Sequence, residues 1–241
     1  MMTIQQQQKI VDFLLDKRIS IDLVLEIKDH MMDQCTEMMD VEHLNFEQAF
    51  EKTKECWKDE LKMVYNFNSL SFKKIAKIQK DSLSKIYGEQ LLKSLKFFIP
   101  FLIAGAVLTL FAPAFANTFF LVVYAATILV TIFYNVKYYR LNESSTAKEK
   151  RRISIYQRGT ILFRLAGIYI ILFNLMSFES RMLKYKATLY QLTHHKIINF
   201  DGIFNLINPF IFVGIWILGL LYFLQYKNSV SKIKERVKLN L

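Results

Sequence analysis

Residues 97–136 carry no charged side chain, and Lys96 and Lys137 bracket them. As a single helix rising 1.5 Å per residue they would extend about 60 Å, twice the ~30 Å apolar thickness of a bilayer. The stretch must therefore fold back on itself. Its weak point is 112–117, where Pro113 lacks a backbone donor and Asn117 favours a turn. The expectation is a transmembrane hairpin with spans at about 95–112 and 118–139.

Two further apolar stretches follow, at about 159–178 and 203–226, giving a four-span domain over 95–226. Between the second and third spans, Lys137, Arg140, Lys148, Lys150, Arg151, Arg152 and Arg158 outweigh Glu143 and Glu149. The tail 227–241 is also basic. Cytoplasmic loops of membrane proteins carry such an excess of Lys and Arg, so both chain ends belong on the inner side. The stretch 179–201 is expected as an external loop. Its Arg181, Lys184, Lys186 and Lys196 run against that orientation, and His194 with His195 offers a weak pH- or metal-responsive pair.

Charge divides the chain. Residues 1–68 hold 14 Asp/Glu against 8 Lys/Arg, net −6, and the remainder holds 7 against 24, net +17. A small acidic head thus precedes a basic membrane body. The basic residues flank apolar spans, which favours anionic lipid head groups over nucleic acid as their partner. The N-terminus lacks the basic and apolar regions of a cleaved signal, so the first span is expected to direct the chain to the membrane. Cys35 and Cys56 both fall in helical patterns of the head and are expected as buried, reduced thiols.

The head reads as three helices. Ile10, Val11, Phe13, Leu14 and Leu15 mark the first. Ser20 stands where a cap would open the second, whose Val24, Ile27, Met31, Cys35 and Met38 form one apolar stripe. Asn45 with Gln48 makes a capping-box pattern for the third, whose stripe runs from Phe46 through Trp57 and Leu61 to Val64. On the second helix Glu26, Asp29, His30, Asp33 and Glu37 share one side. Three readings stand beside one another: a solvated acidic face, a docking surface for a basic partner, or a carboxylate–imidazole metal site. The last lacks a matching ligand set on another helix.

The runs Glu26-Ile27-Lys28-Asp29-His30, Asn45-Phe46-Glu47-Gln48-Ala49-Phe50 and Trp57-Lys58-Asp59-Glu60-Leu61 resemble the HAAS-type N-terminal domain over residues 1–65. That domain occurs in small bacterial membrane proteins often encoded beside PadR-type transcription regulators. Where the family usually turns on Gly, this chain has Val41-Glu42-His43-Leu44. The resemblance implies a signalling accessory protein. Its partner would be a PadR-type regulator or a membrane complex, without direct nucleic-acid contact.

Residues 69–94 are expected as a basic amphipathic connector helix, with Lys73, Lys74, Lys77 and Lys80 on a face suited to a lipid surface; a stalk packed on the head is the other reading. In the spans, Arg164 and Asn174 are the candidate polar groups, Arg164 near enough to the inner end to reach back to the interface. The spans contain no Asp, Glu, His or Cys, and the chain has no phosphate-binding Gly loop and no zinc spacing. The expected whole is all-α: a three-helix cytoplasmic head, a connector helix, a four-helix transmembrane bundle and a basic tail. The expected role is a non-catalytic membrane regulator or accessory protein without a cofactor, with a small permease as the alternative.

Overall fold

The computed structural model describes residues 2–65, 74–141, 153–194 and 199–239, with backbone alone at Phe173 and 237–239. Of the described residues, 85% are helical. It divides into two compact units, one of residues 1–88, 148–157 and 226–241, the other of 89–147 and 158–225.

The first unit opens with α1 (Ile4–Asp16), α2 (Ile21–Val41) and α3 (Phe46–Cys56). Thr3 and Gln6 form a capping box at α1. The expected Asn45–Gln48 box opens α3: the Gln48 amide donates to Asn45 Oδ1 at 3.0 Å, and the Asn45 amide to Gln48 Oε1 at 3.3 Å. Ser20 is the cap residue of α2, yet its hydroxyl makes no capping bond. The stripes meet as expected, with Ile10, Leu14, Val24, Ile27, Met31, Cys35, Phe46 and Phe50 in one core. His43 takes φ 54°, the left-handed region where Gly carries no penalty.

Three expectations need correction here. First, α3 stops at Cys56, and Val64 lies instead in a short strand, β1 (Met63–Tyr65). Second, the described part of the connector, which begins at Lys74, does not open as helix. Lys74–Ala76 form β2, antiparallel to β1 with Val64 opposite Ile75, and helix begins only at Lys77. Branched and aromatic side chains suit this paired extended segment, and the Lys77 amide continues it by donating to Lys62 O at 2.9 Å. Ile75 and Leu83 pack with Ile155, Leu23 and Tyr156, so the connector's apolar side is taken up by protein, as in the stalk reading. Third, only Cys35 is buried; Cys56 is exposed.

The helix α4 (Lys77–Phe111), which belongs to the second unit from Glu89 on, and α5 (Pro113–Lys137) form the hairpin. The break is a single residue, Ala112 (φ −141°, ψ 60°), with Pro113 opening α5, where its missing donor is not needed. Asn117 falls inside α5. After the short turn Gln157–Gly159 come α6 (Thr160–Tyr169), a π-helical segment (Ile170–Leu175), α7 (Phe178–Thr193) and α8 (Phe200–Leu239). Helices α4, α5 and α8 are each long and apolar enough to cross a membrane.

The expected third span is not one helix, and the expected external loop is largely α7. Together they run antiparallel to α5 along most of its length. Phe163 packs edge-on to Tyr134 (6.3 Å), Phe178 to Tyr124 (6.1 Å) and Tyr185 to Phe120 (5.9 Å), and Lys186 Nζ donates to Pro113 O at 3.0 Å. The reason is a buried stripe: Phe178, Met182, Tyr185 and Leu189 recur at helical spacing and join the aromatic core of α5, α6 and α8. Glycine sets the closest approach. A Cβ on Gly219 would stand 2.2 Å from the Phe163 backbone nitrogen, so α8 and α6 touch backbone to backbone.

Candidate functional site

The core packing of α2 determines what its other side presents. With Val24, Ile27, Met31 and Cys35 turned inward, Glu26, Asp29, His30, Asp33 and Glu37 are all exposed along two to three turns. The sequence placed these five together, and the fold keeps them together. Arg236 of α8 meets the face at one point, Nη1 lying 3.5 Å from Asp29 Oδ2. Among the described residues no group of three His, Cys, Asp or Glu is placed to hold a metal ion.

Beside this face lies a junction that sequence reasoning missed. Asp22 sits in the first turn of α2. Its Oδ2 accepts from Ser154 Oγ (2.7 Å), the Ile155 amide (3.0 Å) and Ser229 Oγ (3.1 Å). The Asp22 amide in turn donates to Ile153 O at 3.3 Å. One carboxylate oxygen thus joins three segments far apart in sequence: the start of α2, residues 153–155, and the polar extension of α8. Ionised carboxylate accepts such bonds more strongly than a neutral oxygen. The spacing is informative. Ser229 bonds Asp22 and Arg236 pairs with Asp29, seven residues on in each helix, so α2 and the end of α8 run parallel for two turns. No local pattern announces this, because Asp22 alone resembles any acidic residue of a helix's first turn.

The candidate lipid-facing lysines separate. Lys74 is in β2 with its Nζ 4.9 Å from the Tyr65 ring, Lys77 is exposed, Lys80 is half-buried, and Lys73 lies outside the described residues, as do 148–152 and His195. Lys74 does not share a helical face with Lys77 and Lys80, because it lies in the strand before the helix begins.

Of the two candidate polar groups of the expected third span, Arg164 is half-buried on α6. Asn174 lies in the π-helical segment and is 2% exposed. Other buried polar contacts link the helices: Trp216 Nε1 donates to Thr131 Oγ1 at 2.8 Å, and the Tyr124 hydroxyl to Pro209 O at 2.9 Å. Arg181, assigned by sequence to a loop, instead lies in α7 and is half-buried. The helical spacing of Phe178, Met182, Tyr185 and Leu189 was the available signal for this placement.

Comparison of the chain with protein-family models, with curated proteins and with solved structures finds no match.

Proposed function

We propose that the chain is a non-catalytic integral membrane protein of a bacterial inner membrane that regulates or assists a protein partner. Four crossings, the third of them broken, anchor it. The helical head lies on the cytoplasmic side with both chain ends. One observation carries the reading: the exposed acidic face of α2 continues, within the same helix, into the Asp22 junction. A partner that grips the face pulls on a helix fastened to residues 153–155 and 229, which lead directly into the spans. The resemblance of residues 1–65 to the HAAS-type domain supports the same role, with a PadR-type regulator or a membrane complex as the partner. Anionic lipids meet the remaining basic residues at the span ends.

The test is affinity purification in mild detergent of the intact chain and of a variant with Glu26, Asp29 and Asp33 changed to Lys. The expected result is a protein that copurifies with the native chain and is lost from the variant. The reading fails if the native chain elutes alone, or if the variant retains the same companion.

A second reading, a small permease or transporter subunit, is favoured by the break in the third crossing. Discontinuous helices within an apolar body are a recurrent way to expose backbone and polar groups to a solute. Uptake into proteoliposomes tests it.

A further inference from the structure

The polar end of α8 already occupies part of the acidic face of α2. Both segments belong to the first unit. Ser229 Oγ donates to Asp22 Oδ2 at 3.1 Å and Arg236 Nη1 to Asp29 Oδ2 at 3.5 Å, each pair being 207 residues apart in sequence. The equal offset fixes a register in which Glu235 stands level with Lys28, as Arg236 does with Asp29, so opposite charges are matched at two successive positions. A repeat of seven is close to two helical turns, which keeps both contacts on one side of each helix. Ile233 shares that side of α8 and is half-buried, whereas Lys232 and Lys234 beside it are exposed.

The two contacts differ in strength. Asp22 is half-buried, and its Oδ2 also holds Ser154 and the Ile155 amide. The Arg236 and Asp29 side chains are 53% and 58% exposed, and an ion pair so open to solvent contributes little. The end of α8 is therefore fastened at Ser229 and lightly held at Arg236. Glu42 and Glu47 are paired with Lys52 and Lys9, but Glu26, Asp33 and Glu37 make no ion pair among the described residues.

We propose that the basic end of α8 is an internal competitor for this face, and that the partner presents a basic helix which lies parallel to α2 and displaces Arg236 from Asp29. Residues 227–236 hold Lys227, Lys232, Lys234 and Arg236 against Glu235, net +3, and the face holds four carboxylates, Glu26, Asp29, Asp33 and Glu37. Tethering gives the α8 segment a high effective concentration, so even a weak pair screens Asp29 from a free competitor. An incoming basic helix prevails by engaging Asp33 and Glu37 as well. This competition rests on the docking reading of α2 and adds to it the partner's chemistry and its control.

The probe is a fluorescent peptide of residues 226–241, titrated by anisotropy against the full chain in dodecyl maltoside, beside a scrambled peptide of the same composition. The expected result is weak binding to the native chain and about fivefold tighter binding to Arg236→Glu, the upper scale of one exposed ion pair. A variant lacking residues 230–241, which keeps Ser229, gains at least as much. Arg236→Lys, which keeps the charge, binds as the native chain does. Adding Asp29→Lys and Asp33→Lys to either tighter variant abolishes the gain, and the scrambled peptide shows none. The competition is overturned if the peptide binds none of these chains, or if the native chain, Arg236→Glu and the shortened variant agree within about twofold. It is equally overturned if the gain survives Asp29→Lys with Asp33→Lys, or appears with the scrambled peptide. A gain in peptide affinity where no protein copurifies with the native chain supports the occlusion by α8 and removes the partner reading alone.

Discussion

Replacing Asp22 by Ala removes the acceptor of three hydrogen bonds at once. Ser154, which is fully buried, and the Ile155 amide lose their partner, as does Ser229. A hydrogen bond to a charged group contributes about 1.5–3 kcal/mol when buried. Asp22 is half-buried, so solvent screens part of this, and about 1 kcal/mol per bond is the appropriate scale. The loss is then about 3 kcal/mol, or roughly 100-fold in the opening equilibrium of the junction. Amide exchange reads that equilibrium directly when reclosing is fast. In hydrogen–deuterium exchange of the intact protein, the Ile155 amide and the peptide bonds of 226–236 should exchange roughly 100-fold faster in Asp22→Ala. Asp22→Asn keeps an acceptor oxygen without the charge, so about tenfold is expected. Asp33→Ala, on the exposed face, should change neither region. Less than about a threefold change in Asp22→Ala would refute the claim that this carboxylate fastens α2 to the segments leading into the spans.

Three further outcomes follow from local geometry. Gly219→Ala drives a Cβ into the Phe163 backbone, which cannot step aside as a side chain can, and should lower stability in detergent by about 1–3 kcal/mol or more, read as a drop in Tm. His43→Gly should raise the stability of the head by up to about 1 kcal/mol in urea unfolding, because His43 holds φ 54° at a steric cost Gly does not bear. Thiol alkylation followed by mass spectrometry should modify exposed Cys56 first and Cys35 only on unfolding. Burial pushes the Cys35 thiol up, partly offset by its hydrogen bond to Thr53. The fold therefore favours the neutral thiol. That stabilisation is complete below the unfolded thiol range, near ~8.5, and is lost as pH rises through the raised folded value. The urea midpoint of the head should fall above about pH 9, and Cys35→Ala should remove that slope.

The elements most visible in the sequence were those whose signal is local. The uncharged run 97–136 dictated two long apolar helices and a reversal, and Pro113 marked its place to within one residue. The apolar stripes and the Asn45–Gln48 box dictated α2 and α3 of the head, because capping and helical spacing act over three or four residues. The acidic face of α2 came with them, since burying one side of a helix exposes the other. What tertiary structure alone decided was non-local. The charges at Glu179, Arg181 and Lys184 read as loop, whereas the Phe178–Leu189 stripe, once packed on α5 and α8, makes them part of α7. The strand at Lys74–Ala76 formed where a lysine-rich helix was expected, because Met63–Tyr65 supplied a pairing partner. Asp22 acquired its role only when the ends of two distant segments reached one oxygen. A sequence carries the propensity of each residue and the period of its neighbours, but which buried surface meets which is settled by packing across the chain.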